Sequence, residues 1–326
     1  KEQGEAGRAK FNQISRYLTI PLALLQSFGL IRLFQSQGVI PNLGTFNLIT
    51  ALIVALGGTM FLTWIGELIT EKGIGNGVSL IIFAGIIAAI PQGVSQGYIF
   101  IQDNPSAIPL AIGFVALAIA VVAAVVFITE GQRNIPVSYA KQVRGNKMYG
   151  GVSTYLPMRV NNAGVMPIIF AISIMLFPGM IASFFAGSSV VWISNIANSV
   201  NNIFQNQLFY GSLYFILVIA FTYFYTAVSF DPKNISDNLK KQGGFIPGIR
   251  PGDDTTSFMR KILNRVTLVG ATFLGLIAVL PFIMQSLTGI QALTIGGTGL
   301  LIAVSVILES MKQVESQLVM REYDGF

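Results

Sequence analysis

The chain has no cysteine and no histidine, and only 10% of its residues are charged. Without cysteine there are no disulfides, thiolate metal sites or cysteine nucleophile. Without histidine the commonest metal ligand and general base are missing, so most familiar active-site chemistries are closed. The shortage of charge excludes water as the main solvent. Soluble domains carry roughly 25% charged residues, and a soluble protein of 326 residues would need them to build its surface. With 53% hydrophobic residues and a mean hydropathy of +0.67 the chain suits a bilayer instead. It opens Lys1-Glu2-Gln3-Gly4-Glu5, with neither an initiator Met nor a signal-peptide pattern, so sequence preceding Lys1 is expected.

Apolar stretches close to the ~20 residues needed to cross hydrocarbon lie at 17–35, 47–66, 78–92, 108–129, 162–184, 209–229, 266–286 and 295–311. They predict an all-α polytopic membrane bundle of eight transmembrane helices. The third stretch is short. The first contains Pro21, which neighbouring helices can accommodate in a membrane bundle.

Lys and Arg favour cytoplasmic loops, and here they segregate by side. Taking the segments in alternation, 19 of the 20 fall on one face, leaving Arg32 alone on the other. The segments 185–208 and 287–294 on that other face carry no charge at all. Both termini and the long loops 130–160 and 230–265 are therefore expected to be cytoplasmic. Trp192, Tyr210 and Tyr214 lie near the ends of the uncharged outer segments, as headgroup-seeking rings or as ordinary packing.

Loops this long are functional or disordered, and the second is rich in turn formers around an apolar tip. It runs Asn238-Leu239-Lys240-Lys241, then Gly243-Gly244-Phe245-Ile246-Pro247-Gly248-Ile249-Arg250-Pro251-Gly252. Most of its cations serve as a topological signal. Arg250 is different, because the flanking Pro-Gly pairs fix a turned backbone and project one cation from its tip. Such a tip suits an acidic protein surface or ribosomal RNA phosphates.

Within the span cores there is no Asp, Glu, Lys or Arg; Arg32, Glu67 and Glu309 fall at span ends. Ion-coupled transporters keep ionisable residues at depth, so a passive conduit or scaffold is the better expectation. The polar residues that do enter spans are uncharged, notably Gln26, Asn161 and Asn162, and interhelical hydrogen bonding accounts for these equally well. The glycine-rich stretch Glu71–Gly77 lacks the Lys-Ser/Thr pair of a phosphate-binding loop and reads as a tight turn between spans.

The segments Gly58–Gly77, Asn162–Pro167, Asp237–Lys241, Pro247–Gly252 and Gly296–Thr298 together resemble the bacterial SecY family, in family order over nearly the whole chain. The resemblance covers segments three to ten of that ten-span fold. The first two spans, with the plug and part of the lateral gate, have no counterpart in it. It implies two pseudo-symmetric halves around a central pore, here 1–100 and 101–326, and a protein-conducting channel of the inner membrane without enzymatic activity or cofactor.

The same resemblance implies a pore ring of Ile82, Ile86, Ile169 and Ile302, and lateral-gate positions at Gln26 and Asn161. It implies a docking surface of Arg250, Gly248, Pro251, Lys240, Lys241 and Arg144. The partners it implies are SecE, SecG, SecA, the ribosome with its rRNA, unfolded preprotein or signal peptide, and membrane lipid. Ile82 and Ile86, four residues apart, share a helix face, and branched hydrophobes around a neck exclude ions by dewetting. The rival class is a multi-span small-solute transporter, which would need a polar midplane pocket. An enzyme ranks third for want of any catalytic constellation.

Overall fold

Long runs of Leu, Ile, Val, Ala and Phe have one way to satisfy their backbone in lipid, which is to hydrogen-bond it internally as helix. In the computed structural model, which describes residues 4–36, 38–41, 43–73, 75–139, 142–144, 147–149, 153–186, 190–288 and 294–324, they do so. The long helices are α1 (Gly4–Ser36), α2 (Thr45–Lys72), α3 (Gly77–Asp103), α4 (Ile108–Glu130), α5 (Met166–Ala186), α7 (Gln207–Ser229), α9 (Asp253–Thr288) and α10 (Thr294–Asp324). Two shorter helices, α6 (Val191–Gln205) and α8 (Pro232–Lys241), stand among them.

Six of the long helices are apolar enough to span a membrane among the described residues, with a shorter apolar helix at Met166–Ala182 within α5. The expected span 295–311 falls in α10, whose side chains at 294–298 and 301 lie outside the description. The helix α1 runs unbroken through Pro21. The short third stretch continues through Pro91 to Asp103, which makes α3 longer than its apolar part.

The chain forms two compact units: Lys1–Gly85 with Ile172–Tyr210 and Lys312–Phe326, and Ile86–Ala171 with Gly211–Met311. In the first, α1 packs on α2. At one end of that contact Arg16 makes a forked bond to Glu67, Nε donating to Oε1 at 2.8 Å and a terminal nitrogen donating to Oε2. Further along, α1 comes so near α5 that a Cβ at Gly29 would lie 2.9 Å from Met180 Sδ. The turn from α2 to α3 is as tight as the sequence suggests. A Cβ at Gly77 would collide with the Gly66 carbonyl. The Thr70 hydroxyl accepts from Gly77 N and donates to Gly66 O, both at 2.8 Å, while Asn76 Oδ1 caps the first turn of α3 at 3.1–3.2 Å.

In the second unit the two basic loops fold on each other. From the first come the strands β1 (Gln132–Tyr139), β2 (Gln142–Arg144), β3 (Lys147–Tyr149) and β4 (Ser153–Arg159), and from the second comes β5 (Gly244–Phe245). They make an antiparallel sheet in the order β4-β1-β5 and a β2–β3 hairpin. Register places Ile135 opposite Leu156 and Ser138 opposite Phe245. One sheet face is buried: Ile135, Val137 and Met158 join Ile246, Met259 and Leu263 of the second loop and the start of α9 in a separate core. This small core turns 130–160 and 230–265 from loops into a folded extension of the helical bundle.

Read from the sequence as an uncharged outer loop, 185–208 instead contains α6. Its apolar residues recur at helical spacing, which an overall hydropathy profile does not register because asparagines fill the opposite face.

Candidate functional site

The best-defined surface feature is the turn that carries Arg250. It follows α8, which Asp231 caps by accepting from Lys233 N at 3.1 Å and Asn234 N at 3.3 Å. That cap starts the helix at Pro232, the position where a missing N–H costs nothing. Lys240 and Lys241 occupy its last turn, where cations complement the helix dipole, and both are exposed. The chain reverses at Gly243, pairs with β1 through β5, and sends Ile246 into the small core at 2% exposure.

Gly248 and Gly252 bracket the tip with φ of 83° and 109°. Both values lie in the region open to glycine and strained for other residues, so the turn is written into the sequence at these two positions. Between them Ile249 packs on the core and Arg250 is exposed.

Three side chains hold this turn. The Thr255 hydroxyl donates to the Arg250 carbonyl at 2.9 Å. The Ser236 hydroxyl on α8 and the Thr256 hydroxyl on α9 donate to the Gly252 carbonyl, at 2.8 Å and 3.2 Å. Ser236 and Thr255 are 1% and 2% exposed, so their bonds form where water does not compete. The backbone under the Arg250 guanidinium is thus fixed from both flanking helices, and Pro251 adds a locked φ. Arg144 lies at the end of β2, paired with Lys147; its side chain is outside the description.

The expected ring residues sit on three helices. Ile82 and Ile86 are half-buried one turn apart on α3, Ile82 in the first compact unit and Ile86 in the second. Ile86 meets α10: a Cβ at Gly299 would lie 3.3 Å from Ile86 Cγ2. Three residues further along α10 is Ile302, 7% exposed, and Ile169 is half-buried in the first turn of α5.

Of the two residues expected at a lateral gate, Gln26 is half-buried on α1, and Asn161, 7% exposed, precedes α5. Asn161 Oδ1, Asn162 Nδ2 and, on α10, Ser305 Oγ are buried without a hydrogen-bond partner among the described residues. A buried polar atom left so costs about 1–3 kcal/mol.

Sequence reasoning missed the sheet and the Ser236, Thr255 and Thr256 hydroxyls. The strands had a signal, since Ile135, Val137 and Tyr139 alternate with polar or turn residues at period two. The hydroxyls had none, because a Ser sixteen residues from its carbonyl partner is invisible without the fold.

Apolar helices joined to a small basic domain define a polytopic membrane protein. The SecY family model matches residues 1–311. Similar curated proteins are the protein translocase subunits SecY of Mycobacterium bovis and Bacillus subtilis, each 43% identical, and of Halalkalibacterium halodurans, 44% identical. In each case the whole chain aligns and covers 76% of the relative. Among solved structures, a protein-conducting channel aligns over 96% of this chain and 74% of its own length, at 19% identity and a TM-score of 0.68. A SecY protein described for its channel-stabilising plug domain aligns with a TM-score of 0.62 at 20% identity, over 96% of this chain and 75% of its own. The chain belongs to the SecY family.

Proposed function

We propose that this chain is the channel subunit of a protein translocase, passing unfolded polypeptide across a membrane and releasing hydrophobic segments into it. It acts as a conduit rather than as a catalyst. The observation that carries this reading is the alignment of the entire chain, at 41–44% identity, with proteins named as translocase subunits. The span cores agree: lacking ionisable side chains, they offer a small-solute transporter nothing with which to couple transport to an ion gradient.

In this reading Ile82, Ile86, Ile169 and Ile302 form the neck, and Gln26 and Asn161 line a sideways opening to lipid. The unpartnered Asn161 and Asn162 atoms support that role, since a passing segment or lipid headgroup would satisfy them. The Arg250 turn, Lys240, Lys241 and Arg144 receive a motor or ribosome, with SecE and SecG as membrane partners. The basic loops and both termini face the cytoplasm across the inner membrane, and 1–100 and 101–326 belong to the two halves of the pore.

The test is protease protection of an unfolded preprotein added to vesicles that contain this chain with its translocase partners. Protected preprotein is expected. Saturable flux of a small solute with no protected preprotein would favour the transporter. Orientation is read separately, by labelling Gly243→Cys and Asn198→Cys, which the cysteine-free background makes selective.

A further inference from the structure

The helix α6 has a job that neither the spans nor the basic domain account for. It contains no charged residue, and from Trp192 onward its side chains sort by face, while Val191, 72% exposed, falls on the asparagine side in its first position. Ile193, Ala197, Val200 and Phe204, spaced four, three and four apart, point inward: Ala197 is 3% exposed and the others are half-buried. Asn195, Asn198 and Asn202 lie on the opposite side and are exposed. Beside the inward face, and continuous with it, runs a second apolar stripe of Trp192, Ile196 and Ile203, which stand 72%, 48% and 48% exposed. The packing of the first compact unit therefore covers only half of the apolar arc of α6.

What covers the rest is decided by the junction with α7. A single residue, Asn206, separates the end of α6 from the start of α7, an apolar helix long enough to span. One residue reaches at most about 3.6 Å, so the last turn of α6 lies at the level where α7 meets the membrane. The corner is braced. Asn206 Oδ1 accepts from Leu208 N at 3.0 Å and Phe209 N at 3.3 Å, capping α7. The rings of Phe204 and Phe209 meet edge to face at 5.7 Å across the bend. Leu208 and Phe209, in the first turn of the span, are themselves 82% and 42% exposed.

We infer that α6 is an interfacial helix, seated in the headgroup and acyl boundary of the bilayer leaflet where α7 begins. Trp192, Ile196 and Ile203 enter lipid and the asparagine face meets water. The occupant of the open stripe is lipid. The stripe's helix joins an apolar span through a single residue, it is neutral like the zone it would occupy, and its one tryptophan belongs to the residue type that favours that zone. A helix so placed is expected to sit about 5–10 Å into the boundary region.

The cysteine-free chain allows a direct test in lipid bilayers. Spin labels at Ile203→Cys and Asn198→Cys are compared for collision with oxygen, which partitions into lipid, and with a water-soluble nickel chelate. The Ile203 label is expected to favour oxygen several-fold over the chelate, and the Asn198 label the reverse. An Ile203 label that prefers the chelate would place the stripe in water and overturn the inference. So would a label protected from both, which would mean that protein covers it.

Depth is read with Trp64→Phe, which leaves Trp192 as the only tryptophan. Its emission is expected to be quenched more by lipid brominated near the carbonyls than by lipid brominated near the chain ends. The opposite order would make α6 a spanning element and contradict the proposal.

Discussion

The hydroxyl of Ser236 donates to the carbonyl of Gly252 at 2.8 Å, tying α8 to the far side of the turn that presents Arg250. Both groups come from a stretch that looks in sequence like a polar, glycine-rich connection. Yet Ser236 is buried to 1% exposure, and its bond is one of the three side-chain ties that hold the turn.

Ser236→Ala should therefore loosen the Arg250 turn without unfolding the helices. Loss of a buried neutral hydrogen bond costs about 0.5–1.5 kcal/mol, equivalent to up to about tenfold in affinity if the whole effect falls on docking. Binding of the motor or ribosome to bilayer-embedded variant, compared with its thermal stability, checks this. Weaker binding at near-normal stability is expected, and unchanged binding would show that the turn does not depend on the bond.

Arg250→Glu removes the cation proposed to dock the partner. The side chain is exposed, and such changes alter stability by only about 0.5 kcal/mol. Partner affinity is expected to fall more than in Ser236→Ala, and to become less sensitive to salt because an attraction has been exchanged for a repulsion. Affinity equal to wild type would remove Arg250 from the docking surface.

Much of this was legible in advance and some was not, for separable physical reasons. The apolar helices were legible because the bilayer acts on every residue of a span at once, although six rather than eight are long and apolar enough to span among the described residues. The Gly248 and Gly252 turn was legible because two glycines leave it few alternatives. The sheet was obscured by Pro136 and Pro157, which break up a strand pattern, and by a two-residue partner, β5, too short to announce itself. The half-covered face of α6 depends on which neighbours pack against it, and a sequence does not state that. Glu67 reads in the sequence as a lone span-end charge until the fold brings it to Arg16, 51 residues away.

The Arg16–Glu67 pair predicts a charge-swap result. Both side chains are partly exposed, at 53% and 36%, so the net gain is expected to stay within ~1 kcal/mol despite the forked geometry. Arg16→Glu should lower thermal stability slightly, and Glu67→Arg in the same chain should restore it. Failure of the double variant to recover would mean that each residue acts through other neighbours.

Two glycines of α2 and α3 give an internally controlled prediction. Gly77→Ala places a methyl group on the Gly66 carbonyl and should destabilise by about 1–3 kcal/mol, as overpacking against backbone does. Gly57→Ala meets nothing within 4 Å and should instead be neutral or stabilising by about 0.5–1 kcal/mol, from helix propensity. Thermal unfolding of the two variants in the same detergent tests the pair, and equal effects would contradict the close α2–α3 turn.

Branched side chains on α3, α5 and α10 are proposed to close a polypeptide-wide conduit to ions. Resting single-channel conductance of the assembled translocase in a planar bilayer tests it most directly, with Ile86→Asn and Ile302→Gly compared with wild type alongside the folded yield of each. Polar or small residues let water wet a neck that hydrocarbon keeps dry, so resting ion leak is predicted to rise in the molecules that fold. If folded yield falls by the equivalent of the roughly 2–5 kcal/mol typical of core truncation while the folded molecules stay as ion-tight as wild type, these isoleucines only fill helix interfaces, and the account of the neck is contradicted.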